Sequence, residues 1–184
     1  MAKTALVPIA DGTEEIEAAC IIDTLRRAGI GVTVASVDAL QVTASRGVKI
    51  VADRLIADCV ARTYDCIALP GGMPGAEHLR DSAPLIVKLK EQKDAGRLYA
   101  AICASPAVVL HHHGLLKGLK ATCFPAMQNQ LDSKCLSRER VVVDGHCVTS
   151  QGPATAIEFA LRLVELLAGT DKAKQVAQAM LVAT

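Results

Sequence analysis

The chain is poor in aromatic residues. It has no tryptophan and only two phenylalanines and two tyrosines among 184 residues, although 51% of its residues are hydrophobic. Its core must therefore be built mainly from small aliphatic side chains, which let helices pack closely against a sheet. A chain of this length and apolar content is large enough for one well-packed core, and we expect a single domain over residues 1–184.

An excess of charge of one sign is also missing. The 20 basic residues are balanced by 19 acidic residues, which gives a formal net charge of +1 at pH 7. The two signs are interspersed, and no basic segment alternates with aromatic residues in the way that would follow a phosphate backbone. Direct binding of nucleic acid is therefore not expected.

Long apolar segments are absent as well. No run reaches the roughly 18 to 20 residues that a membrane-spanning helix needs, and the first residues lack the apolar core and cleavage site of a secretion signal. The seven cysteines contain no Cys-x-x-Cys pair, the spacing that zinc ribbons and dithiol redox sites share. Their odd number is typical of reduced thiols in a reducing compartment. We therefore expect a cytoplasmic protein with no membrane partner.

What the sequence does contain is a regular alternation of strand-like and helix-like segments. The predicted strands cover residues 3–9, 32–37, 48–51, 65–69, 98–103, 120–123, 141–143 and 147–150. The predicted helices cover residues 14–29, 82–94, a stretch that ends near 111–114, 152–169 and 171–183. Strands and helices in alternation favour a mostly parallel sheet covered by helices on both faces, which is an α/β three-layer sandwich.

The segment LYAAICASPAVVL, residues 98–110, places Cys103 between an apolar strand and a helix that begins near Pro106. At such a turn the side chain projects from the carboxyl end of the sheet, where backbone N–H groups and the helix dipole favour an anion. We therefore expect Cys103 to ionise more readily than a free cysteine, whose pKa is about 8.5. The alternative is that Cys103 is a buried core residue, as cysteines in apolar strands commonly are.

Two other features point to the same edge of the sheet. The loop PGGMPG, residues 70–75, contains three glycines and two prolines, so its backbone must turn sharply and leave N–H groups exposed. Glu14, Glu15 and Glu17 begin the first predicted helix, where the helix dipole alone could explain them. One of the three could instead point inward over the sheet. A buried carboxyl beside a thiolate keeps its proton, and it could then donate a hydrogen bond to the sulfur.

The other cysteines and the histidines give weaker signals. Four cysteines fall on predicted apolar faces and are expected in the core: Cys20, Cys66, Cys123 and Cys147. Cys59 and Cys135 are expected to be more exposed, without an activating group nearby. The consecutive histidines 111–113 lack the i, i+4 spacing that lets two imidazoles share an ion, so no metal site is predicted.

Four segments, taken together, carry a resemblance to a known family. In chain order they are ALVPIADGTEEIEA, DCIALPGGMPGAEHLRD, AAICASPAVVL and TSQGPATAIEFAL. They resemble the ThiJ/PfpI family, and within it the YajL-type branch that also holds a human Parkinson-disease-associated deglycase. The resemblance implies a flavodoxin-like sandwich, a homodimer and a reactive Cys103 on a strained nucleophile elbow. It also implies that Glu17 is the protonated carboxyl partner, and that Gly72 and Ala104 supply the backbone donors of an oxyanion pocket.

The resemblance further implies a pocket rim that faces the partner subunit. The residues expected at this rim are Phe124, Arg27, Gln151 and Pro153. Family peptidases have a histidine directly after the cysteine, where this chain has Ala104, and the human-type proteins have a histidine where this chain has Phe124. Without either imidazole a Cys-His dyad cannot form from these motifs, so Glu17 must serve as both acid and base.

The function that the resemblance implies is a cysteine-dependent glyoxalase or deglycase that needs no cofactor. Its substrates would be methylglyoxal or glyoxal and their early adducts with proteins or nucleotides, in defence against carbonyl and oxidative stress. The alternative is a redox-sensing thiol protein or stress chaperone without significant turnover, whose partners would be unfolded or oxidised client proteins. The sequence does not rank the two, because both use the same site.

Overall fold

The computed structural model describes residues 2–182. Its strands are β1 (Thr4–Ile9), β2 (Gly31–Ser36), β3 (Gln41–Thr43), β4 (Lys49–Val51), β5 (Arg54–Leu55), β6 (Cys66–Leu69), β7 (Leu98–Ile102), β8 (Val141–Asp144) and β9 (Cys147–Ser150). Its α-helices are α1 (Glu15–Arg27), α2 (Gly75–Asp81), α3 (Ala83–Asp94), α4 (Ala156–Ala168) and α5 (Thr170–Ala179). A π-helical segment covers Pro106–His111, and 3₁₀ turns cover Ile56–Cys59, Pro125–Gln130 and Pro153–Thr155.

One sheet holds seven of these strands in the order β5-β2-β1-β6-β7-β9-β8. Neighbouring strands are parallel except at the edge, where β8 runs antiparallel to β9. The strands β3 and β4 form a separate antiparallel hairpin. The central strands β1, β6 and β7 are buried almost throughout, which explains why their sequences are continuous apolar runs. The predicted fold, a mostly parallel sheet between two layers of helices, is confirmed.

The two faces of the sheet build two apolar clusters. On one face, Ile21 and Leu25 of α1 pack with Phe159 of α4. On the other face, Leu79 of α2 and Leu89 of α3 pack with the π-helical segment. Successive residues of β7 alternate between the two clusters, because side chains along a strand point to opposite faces. The end of β7 is therefore fixed from both sides.

Several local expectations are wrong. The predicted strand over residues 120–123 is reduced to a single bridge between Ala121 and Leu136, because the backbone of Ala121 pairs with a loop rather than with a strand. The helix α2 was not expected, since its glycine at the first position resembles a continuation of the preceding loop. The last predicted helix ends at Ala179 rather than at residue 183, and residue 183 lies outside the described residues.

The burial of three cysteines also differs from expectation, and one of them, Cys20, was expected in the core but is only partly buried at the edge of an apolar cluster. All seven cysteines carry free thiols. Cys59 and Cys135 were expected to be more exposed, but both are buried in the same apolar cluster. Each lies in an irregular segment that folds back over the helices, and the polar residues around it conceal this from the sequence. Within residues 2–182, no helix is long and apolar enough to cross a membrane.

The two tyrosines provide a test of the core. The hydroxyl of Tyr99 donates to the carbonyl of Leu115 at 3.0 Å, whereas the buried hydroxyl of Tyr64 has no aligned partner among the described residues. Tyr99→Phe removes one of the two hydrogen bonds that the carbonyl of Leu115 accepts, the other coming from Nζ of Lys93 at 3.1 Å, and we expect it to lower the free energy of unfolding by about 1 kcal/mol. Tyr64→Phe should change that free energy by less than about 0.5 kcal/mol. Urea denaturation measures both, and equal losses would contradict the prediction.

Candidate active site

Cys103 occupies the turn between β7 and the π-helical segment, at the carboxyl end of the sheet. Its φ angle is +64°, a left-handed conformation that is uncommon for a residue with a side chain. Its N–H donates to the carbonyl of Ser150 at 3.0 Å, and its own carbonyl accepts from the N–H of Phe124 at 2.8 Å. These two hydrogen bonds hold the cysteine in a conformation that costs roughly 1 kcal/mol or more. The residue remains partly exposed.

The glycine-rich loop after β6 packs directly against this turn. A Cβ atom on Gly71 would lie 2.7 Å from the Cβ of Cys103, so no side chain fits there. Gly72 has a φ of +90°, and a Cβ atom on it would collide with the carbonyl oxygen of Gly12. The close approach places the N–H groups of Gly72 and Ala104 beside the Cys103 thiol, where both lower its pKa.

Glu17 lies in the first turn of α1 and its side chain is fully buried. Its Oε2 atom accepts a hydrogen bond from the N–H of Gly71 at 2.7 Å. Its Oε1 atom is equally buried and has no well-aligned partner in the described part of the chain. The Cys103 thiol is the neighbouring side chain that lowers the pKa of this carboxyl. The carboxyl and the sulfur therefore face each other in the same small space.

The two other acidic residues at the start of α1 point elsewhere. Glu14 is the N-cap, and its carboxylate accepts the N–H of Glu17 at 2.7 Å. The carboxylate of Glu15 accepts from the hydroxyl of Ser45 and from the N–H of Arg46, both at 2.8 Å. Only the side chain of Glu17 is buried over the sheet, as expected for one of the three.

Burial raises the pKa of Glu17 to about 7, although hydrogen bonds from Gly71 and Cys103 lower it in part. Burial raises the pKa of Cys103 to about 12, and the negative charge of Glu17 is the next largest cause. The N–H groups of Gly72 and Ala104 lower this pKa in part. A second negative charge in the same buried space is costly, so the pair keeps one proton across this range. Ionisation of Cys103 therefore depends on Glu17 receiving its proton. The expectation that Cys103 ionises more readily than a free cysteine is therefore wrong for the isolated thiol, because burial and the Glu17 charge outweigh the N–H groups at the turn.

Two of the expected rim residues, Phe124 and Gln151, are joined to this turn through the backbone, and the place of Pro153 at the rim stays a prediction. Phe124 is tied to the Cys103 carbonyl through its backbone, its side chain is 40% exposed, and its ring lies beside Gly152. Gln151 directly follows Ser150, the last residue of β9, whose carbonyl accepts the N–H of Cys103. Pro153 begins the 3₁₀ turn that leads into α4.

Arg27 does not lie near Cys103. It is the last residue of α1, whereas Glu17 lies in the first turn, and at 1.5 Å per residue the two are about 15 Å apart along the helix. The Arg27 guanidinium pairs with Asp23 at 2.6 Å on the surface. Within one chain, the structure leaves this residue outside the site.

Two residues of the site were not singled out from the sequence. Gly71 supplies the N–H that binds Glu17, and Ser105 is fully buried with its hydroxyl donating to the carbonyl of Pro70 at 2.6 Å. The position of Ser105, two residues after Cys103, is a signal that could have marked it. No group of three or more histidine, cysteine, aspartate or glutamate side chains in residues 2–182 is arranged to hold a metal ion.

The sequence profile of the DJ-1/PfpI family matches residues 3–166. The chain belongs to the DJ-1/PfpI family. This confirms the resemblance to the ThiJ/PfpI family, and it places the Cys103 turn, the glycine-rich loop and Glu17 inside the matched region.

Individual DJ-1/PfpI proteins are similar over nearly the whole chain. Protein DJ-1 homolog B of Arabidopsis thaliana is 51% identical over 178 residues, which are 96% of this chain but 41% of that protein, so the chain spans less than half of its length. Glutathione-independent glyoxalase DJR-1.2 of Caenorhabditis elegans is 36% identical over 92% of this chain and 91% of its own length. A solved structure of oxidized Toxoplasma gondii DJ-1 is 54% identical, covers 100% of both chains and has a TM-score of 0.98.

Replacing Glu17 tests its raised pKa in this DJ-1/PfpI-family site. The pKa of Glu17 is about 7 in the folded state and 4.5 in the unfolded state. The folded protein therefore loses stability as the pH rises between these values, because the unfolded state releases this proton first. Glu17→Gln removes this loss. We expect its free energy of unfolding, relative to wild type, to rise by about 3 kcal/mol between about pH 4.5 and pH 7.5. Urea denaturation at several pH values measures this difference.

Glu15→Gln is the matched control. Slight burial raises the pKa of Glu15, but hydrogen bonds from its own backbone, Ser45 and Arg46 outweigh this and lower the pKa overall. Its carboxylate therefore stabilises the folded state above the unfolded pKa, so the relative stability of Glu15→Gln should fall as the pH rises. A flat pH dependence for Glu17→Gln would show that the folded protein does not hold this carboxyl protonated near neutral pH.

Proposed function

We propose that this protein is a cysteine-dependent glyoxalase or deglycase that needs no cofactor. The observation that carries the proposal is the convergence of a partly exposed Cys103, a buried Glu17 with a raised pKa and two backbone donors at the sulfur. A relative that is 36% identical over 92% of the chain is named a glutathione-independent glyoxalase, which supports the same chemistry. The substrates are methylglyoxal or glyoxal and their early adducts with proteins or nucleotides.

The first step joins the sulfur of Cys103 to the aldehyde carbon of methylglyoxal. The thiol proton passes to the carboxylate of Glu17 as the carbon–sulfur bond forms. The negative charge that develops on the aldehyde oxygen is held by the N–H groups of Gly72 and Ala104, which already point at this space. Glu17 then returns the proton to this oxygen, and the product is a hemithioacetal.

The second step moves a proton between two adjacent carbons. The Glu17 carboxylate removes the proton from the former aldehyde carbon, and the electron pair forms an enediolate with the neighbouring ketone. Return of the proton to the former ketone carbon, with transfer of the hydroxyl proton from the former aldehyde oxygen to the former ketone oxygen, gives a thioester of a 2-hydroxy acid. Water then attacks the thioester carbon and displaces the Cys103 sulfur, which regains its proton. The net reaction adds one water to methylglyoxal and forms lactate, so no oxidant or reductant is consumed.

We also propose that the protein works as a homodimer in the cytoplasm. Arg27 lies at the far end of α1 from Glu17 and pairs with Asp23 on the surface. It would line the pocket only if a second copy of the chain supplied it. Light scattering after size-exclusion chromatography reports the oligomeric state.

Turnover of methylglyoxal to lactate, followed by chromatography, tests the enzymatic proposal. We expect Cys103→Ser to lower kcat at least about 10³-fold, because it removes the nucleophile, and Glu17→Gln to lower it by about 10²-fold or more. Cys20→Ser is the matched control, since Cys20 is another partly exposed thiol, located on α1 outside the reacting groups. It should leave kcat within about twofold of wild type. Activity retained in Cys103→Ser would refute the mechanism.

A redox-sensing or chaperone function is the second proposal. The same N–H groups and the Glu17 carboxyl would hold the oxygens of a sulfinic acid at Cys103. One similar solved structure is of an oxidized Toxoplasma gondii relative, which supports this reading. Oxidised or unfolded client proteins would then be the partners.

Mass spectrometry after mild peroxide treatment tests the redox proposal. Two oxygens should be added selectively at Cys103, because it is partly exposed and surrounded by donors, whereas Cys66 and Cys147 are buried in the core. Cys20 is the internal control, since it is also partly exposed but has no such donors at its sulfur. Equal oxidation of Cys20 and Cys103 would argue against sensing.

A further inference from the structure

Ser105 is a buried polar residue of the site that the proposed reaction does not use. Its side chain has no exposed surface, and its hydroxyl donates to the carbonyl of Pro70 at 2.6 Å. Ser105 lies on the turn that carries Cys103, and Pro70 begins the glycine-rich loop. This hydrogen bond therefore joins the two backbone segments that form the site.

Every backbone donor that acts on the reacting groups lies within two residues of this hydrogen bond. On the loop side, the N–H of Gly71 binds the carboxyl of Glu17 at 2.7 Å, and the N–H of Gly72 lowers the pKa of the Cys103 thiol. On the turn side, the N–H of Ala104 lowers the pKa of the same thiol. The relative position of the two segments thus decides whether all three donors reach their acceptors.

We propose that Ser105 is a positioning residue, whose hydroxyl sets the distance between the glycine-rich loop and the Cys103 turn. The expected effect of Ser105 on turnover rests on the proposed function, whereas its expected effect on the reactivity of the Cys103 sulfur does not. A Cβ atom on Gly71 would lie only 2.7 Å from the Cβ of Cys103, so the loop already lies close to the turn and has little room to move nearer. When the hydroxyl is removed, the buried carbonyl of Pro70 loses its partner, and the loop moves outward to find another. Outward movement lengthens the contacts from Gly71 and Gly72.

The test compares Ser105→Ala with wild type by the pH dependence of iodoacetamide alkylation at Cys103, with the labelled site mapped by mass spectrometry. The N–H of Gly72 lowers the pKa of Cys103, and the N–H of Gly71 lowers that of Glu17. Loss of the Gly72 contact should move the onset of Cys103 alkylation to higher pH, whereas loss of the Gly71 contact should raise the pH at which Glu17 releases its proton. In the turnover assay, kcat should fall about 10-fold or more while KM changes less than about threefold, because the contacts matter most where charge develops.

Two further variants separate positioning from a general loss of stability. Tyr99→Phe removes a hydrogen bond of the same kind, from a buried hydroxyl to the carbonyl of Leu115, at a place remote from the sulfur. It should leave the alkylation profile unchanged. Ser105→Thr keeps the hydroxyl and should restore the wild-type profile.

An alkylation profile of folded Ser105→Ala that overlays the wild-type profile would overturn the proposal. A shift of equal size in Tyr99→Phe would also overturn it, because the effect would then be general. If Ser105→Ala does not fold, Ser105→Thr decides: a wild-type profile supports the proposal, and a shifted profile contradicts it. Wild-type protein without measurable turnover would refute the proposed function alone, since alkylation reports on the sulfur independently of catalysis.

Discussion

The site depends on one close approach between two pieces of backbone. The glycine-rich loop after β6 and the turn after β7 lie so near each other that a side chain at Gly71 would collide with Cys103. This approach is possible because parallel strands β6 and β7 are neighbours and end at the same edge of the sheet. From it follow the donors at the sulfur and the hydrogen bond that anchors the buried carboxyl of Glu17.

Cys103 and Glu17 act as one unit with a single proton. A buried carboxyl alone is a weak acid, and a buried thiol next to a negative charge is a weaker one. Together they can place a proton on either atom without adding charge to the site. The same exchange serves attack on an aldehyde and stabilisation of an oxidised sulfur, which is why a DJ-1/PfpI-family site of this form supports both proposed functions.

The fold could be predicted because its central strands are buried on both faces and therefore appear as apolar runs. The same pattern placed Cys103 at the end of β7. The sequence could not choose among the three acidic residues at the start of α1 by periodicity alone, and the assignment of Glu17 came from the family resemblance. The burial of Cys59 and Cys135, the link from Ser105 to Pro70 and the dependence of Cys103 on Glu17 are tertiary, because they join segments distant in the chain.

All three donors around the reacting groups belong to the main chain, at Gly71, Gly72 and Ala104. No single substitution can delete such a donor in the way that an asparagine or arginine side chain is deleted, short of introducing proline. The donor groups are thus insulated from side-chain variation, whereas the 40% exposed ring of Phe124 beside this turn can be replaced without touching them. Substitutions of neighbouring side chains therefore leave these donors in place, provided that the backbone path through the two glycines is kept.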